Sequence, residues 1–478
     1  MRTVTGSAHV VEVAGKRILL DCGMYQGKRD EARAINERIP TPLTKLDAVI
    51  LSHGHLDHCG KLPVLPKAGY KGPIWCTSAT AEVSRVVLTD SAEIQTEDAE
   101  YLNRRVRRAD EPPIKPLYTT VDVNQVMRQF RSIDLSKRVE LFPTETGDAR
   151  TVGFTFFEAG HILGSAYVLL DWSESGKKRS LLFTADVGRY NTPIIRDPVA
   201  PPGPVDFLIT ESTYGGRIHG PMVDVEPEFE ALLKQTIENR SRLLIPSFAV
   251  GRTQTMLWYV SKLIAAGKIP PIRVYIDSPM GVDLTRIYTA QKDYWDDETR
   301  NLISQADLFG MKNVTLASTS EQSKMINADK GPCVIIASSP TCEFGRILHH
   351  LKTSIERRAD QLLFVGWTPP RTLGRRLQDG ETRVRIFDRY YDVRIQVKTL
   401  PGMSAHGDSD ELLKFVKPAI KSDTKAFVVH GEPEQSEIFA GRLKNELGVA
   451  SAVVPAPDSS VIEDAPTVSR GEARTDGD

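Results

Sequence analysis

The sequence predicts an α/β protein in which a β-rich first domain is interrupted by an inserted α/β domain and completed by a C-terminal return segment. Three observations support this reading. Short apolar bursts such as HVVEV, RILLDCG and AVILSHG fill the first part of the chain, where strand-length runs are bounded by turn signals. The proline-rich stretch RDPVAPPGPVD at 196–206 then introduces strands that alternate with helix-length segments, the pattern of parallel βαβ units. Beyond Arg394 the style reverts, through IQVKTLPGMSAHGD and KAFVVHGEP. The expected boundaries are 1–204 for the first part of the β-rich domain, 205–394 for the insertion and 395–454 for the return. A tail over 455–478, rich in Pro, Ser, Asp, Glu and Arg, is expected to be disordered.

Taken in order, HVVEV and RILLDCG flank a Gly-Lys turn and read as a hairpin. From Ala79 to about Arg108 the periodicity predicts a helix, which EPPIKP ends because proline lacks the N–H that the helix requires. TFFEAGH, AYVLLDW and SLLFTADVG predict strands, the last two joined by the polar turn SESGKK. In the insertion, FLITEST, RLLIPSF, IRVYIDS, CVIIASS and QLLFVGW read as buried strands, with helices over 226–239, 252–267 and 282–291. A last helix is predicted over 434–447.

Length and composition narrow the class. At 478 residues the chain has room for two or three domains. Lys and Arg total 61 against 62 Asp and Glu, so a nucleic-acid partner requires a local basic groove, because the whole chain carries no field. The five cysteines include no CxxC pair, which fits a reducing, cytoplasmic setting. No signal-peptide pattern opens the sequence and no run of ~18 apolar residues occurs, so no membrane partner is expected.

The stretch HGHLDH at 53–58 concentrates three of the ten histidines behind an apolar run. Imidazole suits zinc, and carboxylates can bridge to a second ion. In H-x-H-x-D-H, His53 and His55 can point one way while Asp57 and His58 address a neighbouring position. Two such positions need more ligands. His161 in EAGHILGS, Asp186 in FTADVG and His430 in VVHGE each follow a strand-like run and precede a glycine, so four strand ends can converge on one rim.

These stretches carry a resemblance. RILLDCG, SHGHLDHCG, EAGHILGSA and FTADVGR resemble the metal motifs of the metallo-β-lactamase superfamily. ITESTYGGR, PSFAVGRTQ, DSPM, GMSAHGDSDEL and VVHGEPE resemble its nucleic-acid-processing β-CASP branch, over about residues 2–450. The resemblance implies an αββα metallo-β-lactamase sandwich with an inserted parallel-sheet α/β (β-CASP) domain, and two Zn²⁺ per chain. It implies one zinc on His53, His55 and His161, the other on Asp57, His58 and His430, with Asp186 bridging and Asp21 steadying the histidine loop from behind. The implied catalytic residues are Asp57, Glu211 and His406, the last two paired so that His406 protonates the leaving oxygen.

The implied reaction is hydrolysis of RNA phosphodiesters by hydroxide shared between two metals, endonucleolytic in mode. His430 directs the choice of RNA, single-stranded, because DNA-repair relatives carry an apolar residue there. Two alternatives are a catalytically weak RNA-processing scaffold and a nuclease acting on DNA. A homodimer is compatible with the sequence.

Residues expected to touch the polymer include Arg346, Ser404 and the arginine-rich stretches 103–108 and 369–394, the second interleaved with Phe387, Tyr390 and Tyr391. His219 follows TYGGR and is expected to line the cleft, whereas His9, His349 and His350 read as packing or surface residues. The sequence departs from the family at SSPTCEFGR, where Pro340 and Phe344 replace more usual small residues, and at VGWTPPRTLGR. MRTVTGS begins where relatives usually have one more strand, so an edge strand is expected to be missing, and a KH-type extension is not expected.

Overall fold

The computed structural model describes residues 4–27, 29–38, 45–105, 112–142, 151–174, 176–220, 225–305, 312–366, 368–400 and 402–456. One sheet contains β1 (His9–Val13), β2 (Lys16–Leu20), β3 (Ala48–Ile50), β4 (Ile74–Cys76) and β5 (Phe130–Ser132), in that spatial order. The predicted β1–β2 hairpin is present, with His9 opposite Leu20, and the other pairings are parallel.

The second sheet begins with β6 (Arg138–Glu140), β7 (Thr151–Glu158), β8 (Ala166–Glu174), β9 (Lys177–Phe183) and β10 (Phe207–Thr210). The insertion follows with β11 (Arg242–Pro246), β12 (Arg273–Asp277), β13 (Val314–Ala317), β14 (Cys333–Ala337), β15 (Gln361–Phe364), the small hairpin of β16 (Arg383–Ile386) and β17 (Arg389–Asp392), and β18 (Gln396–Thr399). The chain then returns, and β19 (Lys425–Val428) and β20 (Ser451–Val453) complete the second sheet in the order β20-β19-β10-β9-β8-β7-β6.

Strand periodicity explains the four layers. Ile18 and Leu20 of β2 face Phe154, Phe156, Val168 and Leu170 of the second sheet, in one buried cluster. Leu19, between them, points to the opposite side and packs with Val83, Val87 and Leu88 of the helix Ser78–Arg105. The outer face of the second sheet, with Tyr167, Leu182 and Val428, is covered by Leu412, Phe415, Phe439 and Leu443 from the helices Ser409–Val416 and Pro433–Leu447. Helix, sheet, sheet and helix are the layers the resemblance implied.

The inserted sheet is parallel, in the order β13-β12-β14-β11-β15-β18. Two expected boundaries shift. Residues 207–210 pair in parallel with β9 and β19, so the sandwich continues past residue 204. Residues 396–399 pair with β15, so the inserted sheet continues past 394. The sheet a short parallel strand joins depends on its neighbours in space, and its own four residues carry no sign of that choice.

The helix expected over 282–291 runs Pro279–Ala290, because Ser278 caps it by accepting the Gly281 N–H and Pro279 occupies the first helical position. Residues 106–108 of the first predicted helix and 457–478 of the predicted tail lie outside the described residues. Among the described residues no helix is long and apolar enough to cross a membrane.

The insertion docks where it bears on function. The Leu163 N–H donates to the Tyr288 hydroxyl at 3.3 Å, the Ser78 and Tyr294 hydroxyls lie 3.1 Å apart, and Ile195 bridges to Trp295. The loop after β7, which carries His161, is therefore packed against the inserted domain.

Candidate metal centre and proton donor

The site residues leave the ends of different strands. Asp21 follows β2, His53 and its loop follow β3, His161 follows β7, Asp186 follows β9, Glu211 follows β10 and His430 follows β19. The turns are tight. A Cβ on Gly23 would lie 1.5 Å from the Asp57 carbonyl oxygen, and one on Gly188 would lie 1.7 Å from that of Gly160. Asp21 (φ 59°) and His430 (φ 49°) adopt left-handed backbone, which is unfavourable for non-glycine residues and clusters at functional sites.

One donor group comprises His53 Nε2, His55 Nδ1, His161 Nε2 and Asp186 Oδ2. His55 Nδ1 lies 3.1 Å from the other two nitrogens, and Asp186 Oδ2 lies 3.5 Å from His53 Nε2 and from His161 Nε2. Four ligands in a tetrahedron with zinc–nitrogen bonds of ~2.0–2.1 Å would be separated by ~3.3–3.4 Å, so the spacing fits. The second group comprises Asp57, His58 and His430. His430 Nε2 is 3.4 Å from Asp57 Oδ2, and His58 Nε2 is 3.3 Å from the other oxygen of Asp186. Asp186 thus presents one oxygen to each group.

Hydrogen bonds on the far side orient the rings. His58 donates its Nδ1 proton to Asp21 Oδ2 at 2.7 Å, and His161 donates from Nδ1 to the Ala405 carbonyl at 3.3 Å. Asp21 also accepts from the Ser52 N–H and hydroxyl, both at 2.8 Å, and the Ser52 oxygen receives His53 Nδ1 at 3.0 Å. His53 and His161 are left with a bare Nε2 toward the centre, and His58 turns its Nε2 the same way. Buried and without a hydrogen-bond partner are His58 Nε2, Asp186 Oδ1 and both nitrogens of His430. Buried lone pairs of nitrogen and oxygen facing one another fit divalent cations.

Electrostatics agree. Burial, reinforced by His58, holds His53 well below the ordinary imidazole range; burial with His406 does the same for His161. Burial takes His55 down to about 4, against the pull of Asp57 and Asp186. These rings are neutral and free to ligate. Burial also disfavours charge on His58, but Asp186 and Asp21 outweigh it and raise the ring well above its usual range. Burial would raise Asp186, and His58, His430 and His406 reverse this and hold it well below the carboxylate range. A cation binding here would displace the His58 proton.

Beside this centre, His406 Nδ1 sits 3.2 Å from Glu211 Oε2 and 3.9 Å from Asp186 Oδ2. Glu211 is buried and its Oε1 accepts the Val187 N–H at 2.6 Å. Burial opposes a charged His406, but Glu211 and Asp186 prevail and lift it to about 9. Its loop is tied to the Asp186 loop by a bridge to Gly188 and by the Gly407 N–H on the Val187 carbonyl at 2.8 Å. The arrangement is a protonated imidazole poised next to two cation-ready pockets.

Comparison with known proteins identifies the family. A family model for the metallo-beta-lactamase superfamily matches residues 1–215, one for the Beta-Casp domain matches 253–377, and one for a Zn-dependent metallo-hydrolase RNA specificity domain matches 390–455. Ribonuclease TTHA0252 of Thermus thermophilus is 32% identical over 435 residues, covering 91% of this chain and 92% of that protein. The chain belongs to the β-CASP branch of the metallo-β-lactamase superfamily. Transcription termination factor FttA of Methanocaldococcus jannaschii is 30% identical, over 93% of this chain and 67% of its own length. An RNase J-like protein from the same organism is 28% identical, over 93% of each.

Other expectations for this β-CASP chain fare unevenly. His219 lies beside His406, its ring 4.1 Å from Tyr214 and its Nε2 3.2 Å from the His406 carbonyl. The Ser404 hydroxyl accepts the His406 N–H at 3.2 Å, so it shapes that turn. Arg346 is directed elsewhere: it donates to Asp277 Oδ1 at 2.7 Å, to the Ala317 carbonyl at 3.0 Å and to the Ser318 carbonyl at 2.6 Å. The expected phosphate contact has no support in that geometry, because a buried Asp277 that also bonds His350 and Ser323 holds the guanidinium. His350 is a packing residue, as expected, and His349 lies against Phe387.

Sequence reasoning missed Ser52 and Arg189. The latter, three residues after Asp186 in the stretch FTADVGR, ties the Asp186 loop to the Gly402 and Gly220 carbonyls and Glu411.

Asp21 offers a direct test of the support behind the ligands. Asp21→Ala is expected to weaken metal retention by ~10–100-fold, the usual cost of removing an outer partner of a ligating histidine. Competition with a chelator, followed by metal analysis of the folded protein, measures this; unchanged retention would exclude the orienting role.

Proposed function

We propose that the chain is a zinc-dependent ribonuclease that hydrolyses single-stranded RNA by internal cuts, using two ions per chain. The observation that carries the reading is the Glu211–His406 pair at 3.2 Å beside a carboxylate shared by two donor groups. A shared carboxylate suits two ions that clamp one phosphate, and the Glu211–His406 pair supplies a proton donor for the leaving oxygen. The names of the relatives, a ribonuclease and an RNase J-like protein, supply the substrate class.

His53, His55 and His161 would hold one ion, Asp57, His58 and His430 the other, with Asp186 between them. When bound, such a pair supplies the positive charge that acidifies water and offsets charge gained by the phosphate. The protein's own part is orientation and proton supply. Water adds to phosphorus and releases a proton to solvent, the ester P–O bond breaks, and the leaving oxygen takes the His406 proton, which solvent restores, so one new end carries phosphate and the other a hydroxyl. Glu211 keeps the donor in place: holding Nδ1 leaves Nε2 as the nitrogen that faces substrate. All five cysteines are buried and unpaired, which suits a reducing compartment, and we place the reaction in the cytoplasm.

The test uses RNA blocked at both ends and labelled internally. Zinc-loaded protein is expected to cut it, chelation to abolish cutting, and added zinc to restore it. Preferential cutting of single-stranded DNA in competition would overturn the choice of RNA. Less than one zinc per purified chain would favour a scaffold.

A further inference from the structure

The turn Ser247–Arg252, between β11 and the helix Arg252–Ala265, lies beside the metal centre. Its Gly251, at φ 74°, places the site of a Cβ 3.5 Å from Ile162, the neighbour of His161. The backbone of this turn is pinned. The Phe248 carbonyl accepts from the Thr253 hydroxyl at 2.8 Å, the Ser247 hydroxyl at 3.1 Å and the Thr253 N–H at 3.3 Å. Yet the Phe248 ring is 62% exposed.

A second exposed ring comes from the adjacent strand end. Pro246 of β11 pairs with Ala337 of β14, and the loop after β14 carries Phe344, 66% exposed, with its carbonyl held by the Ser339 N–H at 3.2 Å. Both rings therefore rise from the carboxyl edge of a parallel sheet, the edge where such sheets bind ligands. Phe344 is also one of the positions at which the sequence departs from its family.

Arg252 supplies the charge. Its side chain is half-buried and has no hydrogen-bond or ion-pair partner among the described residues. The ionisable groups that act on it are Tyr214, Tyr259 and the cation Arg189, and the Tyr214 ring lies 6.3 Å from that of His406. A partly desolvated guanidinium near another cation, with no carboxylate partner among the described residues, calls for an anion, and its planar fork suits phosphate.

We propose that Arg252 grips a backbone phosphate of single-stranded RNA flanking the cut, while Phe248 and Phe344 stack on its bases and seat the strand beside the metal centre. The proposal rests on the ribonuclease reading and adds a strand-holding subsite to it. Three parts of a sequence-tolerant single-strand site, a cation and two aromatic faces, are present on two loops whose backbones are hydrogen-bonded.

The test measures binding and cleavage of RNA by full-length, zinc-loaded protein. Arg252→Gln is expected to weaken RNA binding ~10-fold and to lower the slope of log Kd against log salt by ~0.7, the value of one lost phosphate contact on a single strand. Arg252→Lys should recover the slope and part of the affinity. Phe248→Leu, combined with Phe344→Leu, should weaken binding ~10-fold on normal RNA and have no effect on RNA with abasic positions, while Phe248→Trp retains affinity. Unchanged affinity and salt slope in the Arg252 and Phe248 variants, with a wild type that cuts RNA, would overturn the subsite alone. A zinc-loaded wild type that does not cut RNA would instead remove the ribonuclease reading.

Discussion

Asp186→Asn is expected to reduce RNA cleavage by at least ~10³-fold, because losing charge stabilisation of several kcal/mol costs a factor of ten for each ~1.4 kcal/mol. Asp186 faces both donor groups. Its Oδ2 lies 3.5 Å from His53 and His161, and its Oδ1 lies 3.3 Å from His58 and 3.0 Å from His430. Asparagine preserves the shape but turns an N–H₂ toward one group and removes the negative charge that both ions would share. Metal analysis of the purified, folded variant should therefore show a loss at both positions. Asp57→Asn, which borders only the second group, should lose metal there alone. Full metal content and activity in the Asp186 variant would rule out a shared ligand.

His406→Ala is expected to slow cleavage ~10²–10⁴-fold, the usual range for removing a general acid, with metal content unchanged. The distinction from Asp186 lies in that last clause. His406 belongs to neither of the two donor groups described, and its ring is held by Glu211 at 3.2 Å. A second readout isolates the proton. A diester whose leaving group departs as stable p-nitrophenolate does not need protonation, so its hydrolysis should be far less sensitive to the substitution than that of RNA. Equal losses on both substrates would assign His406 a structural part. Glu211→Gln should reproduce much of the RNA defect, since the neutral amide can hold the ring but cannot favour its charged form.

How much was legible in advance differs between fold and site. The strand bursts, the parallel alternation of the insertion and the ligand-bearing stretches could be read because each is a local pattern of periodicity or residue type. The membership of β10 and β18 could not, since both are four-residue strands whose sheet is chosen by partners far along the chain. Arg346 shows the same limit at the site. Its family-like position suggested phosphate, but Asp277, 69 residues earlier, takes the guanidinium.

The sequence by itself determined which chemistry was available: the types of ligand, their order, and a carboxylate–imidazole pair among them. It could do so because a motif's residue types are a property of the chain alone. The tertiary structure decided how that chemistry is divided. It gave Asp186 two faces, turned the Nε2 atoms of His58 and His161 inward through partners 37 and 244 residues away, and left Arg252 without an ion-pair partner among the described residues. Those outcomes depend on distances between strand ends, which only the packing of the two sheets and the insertion sets.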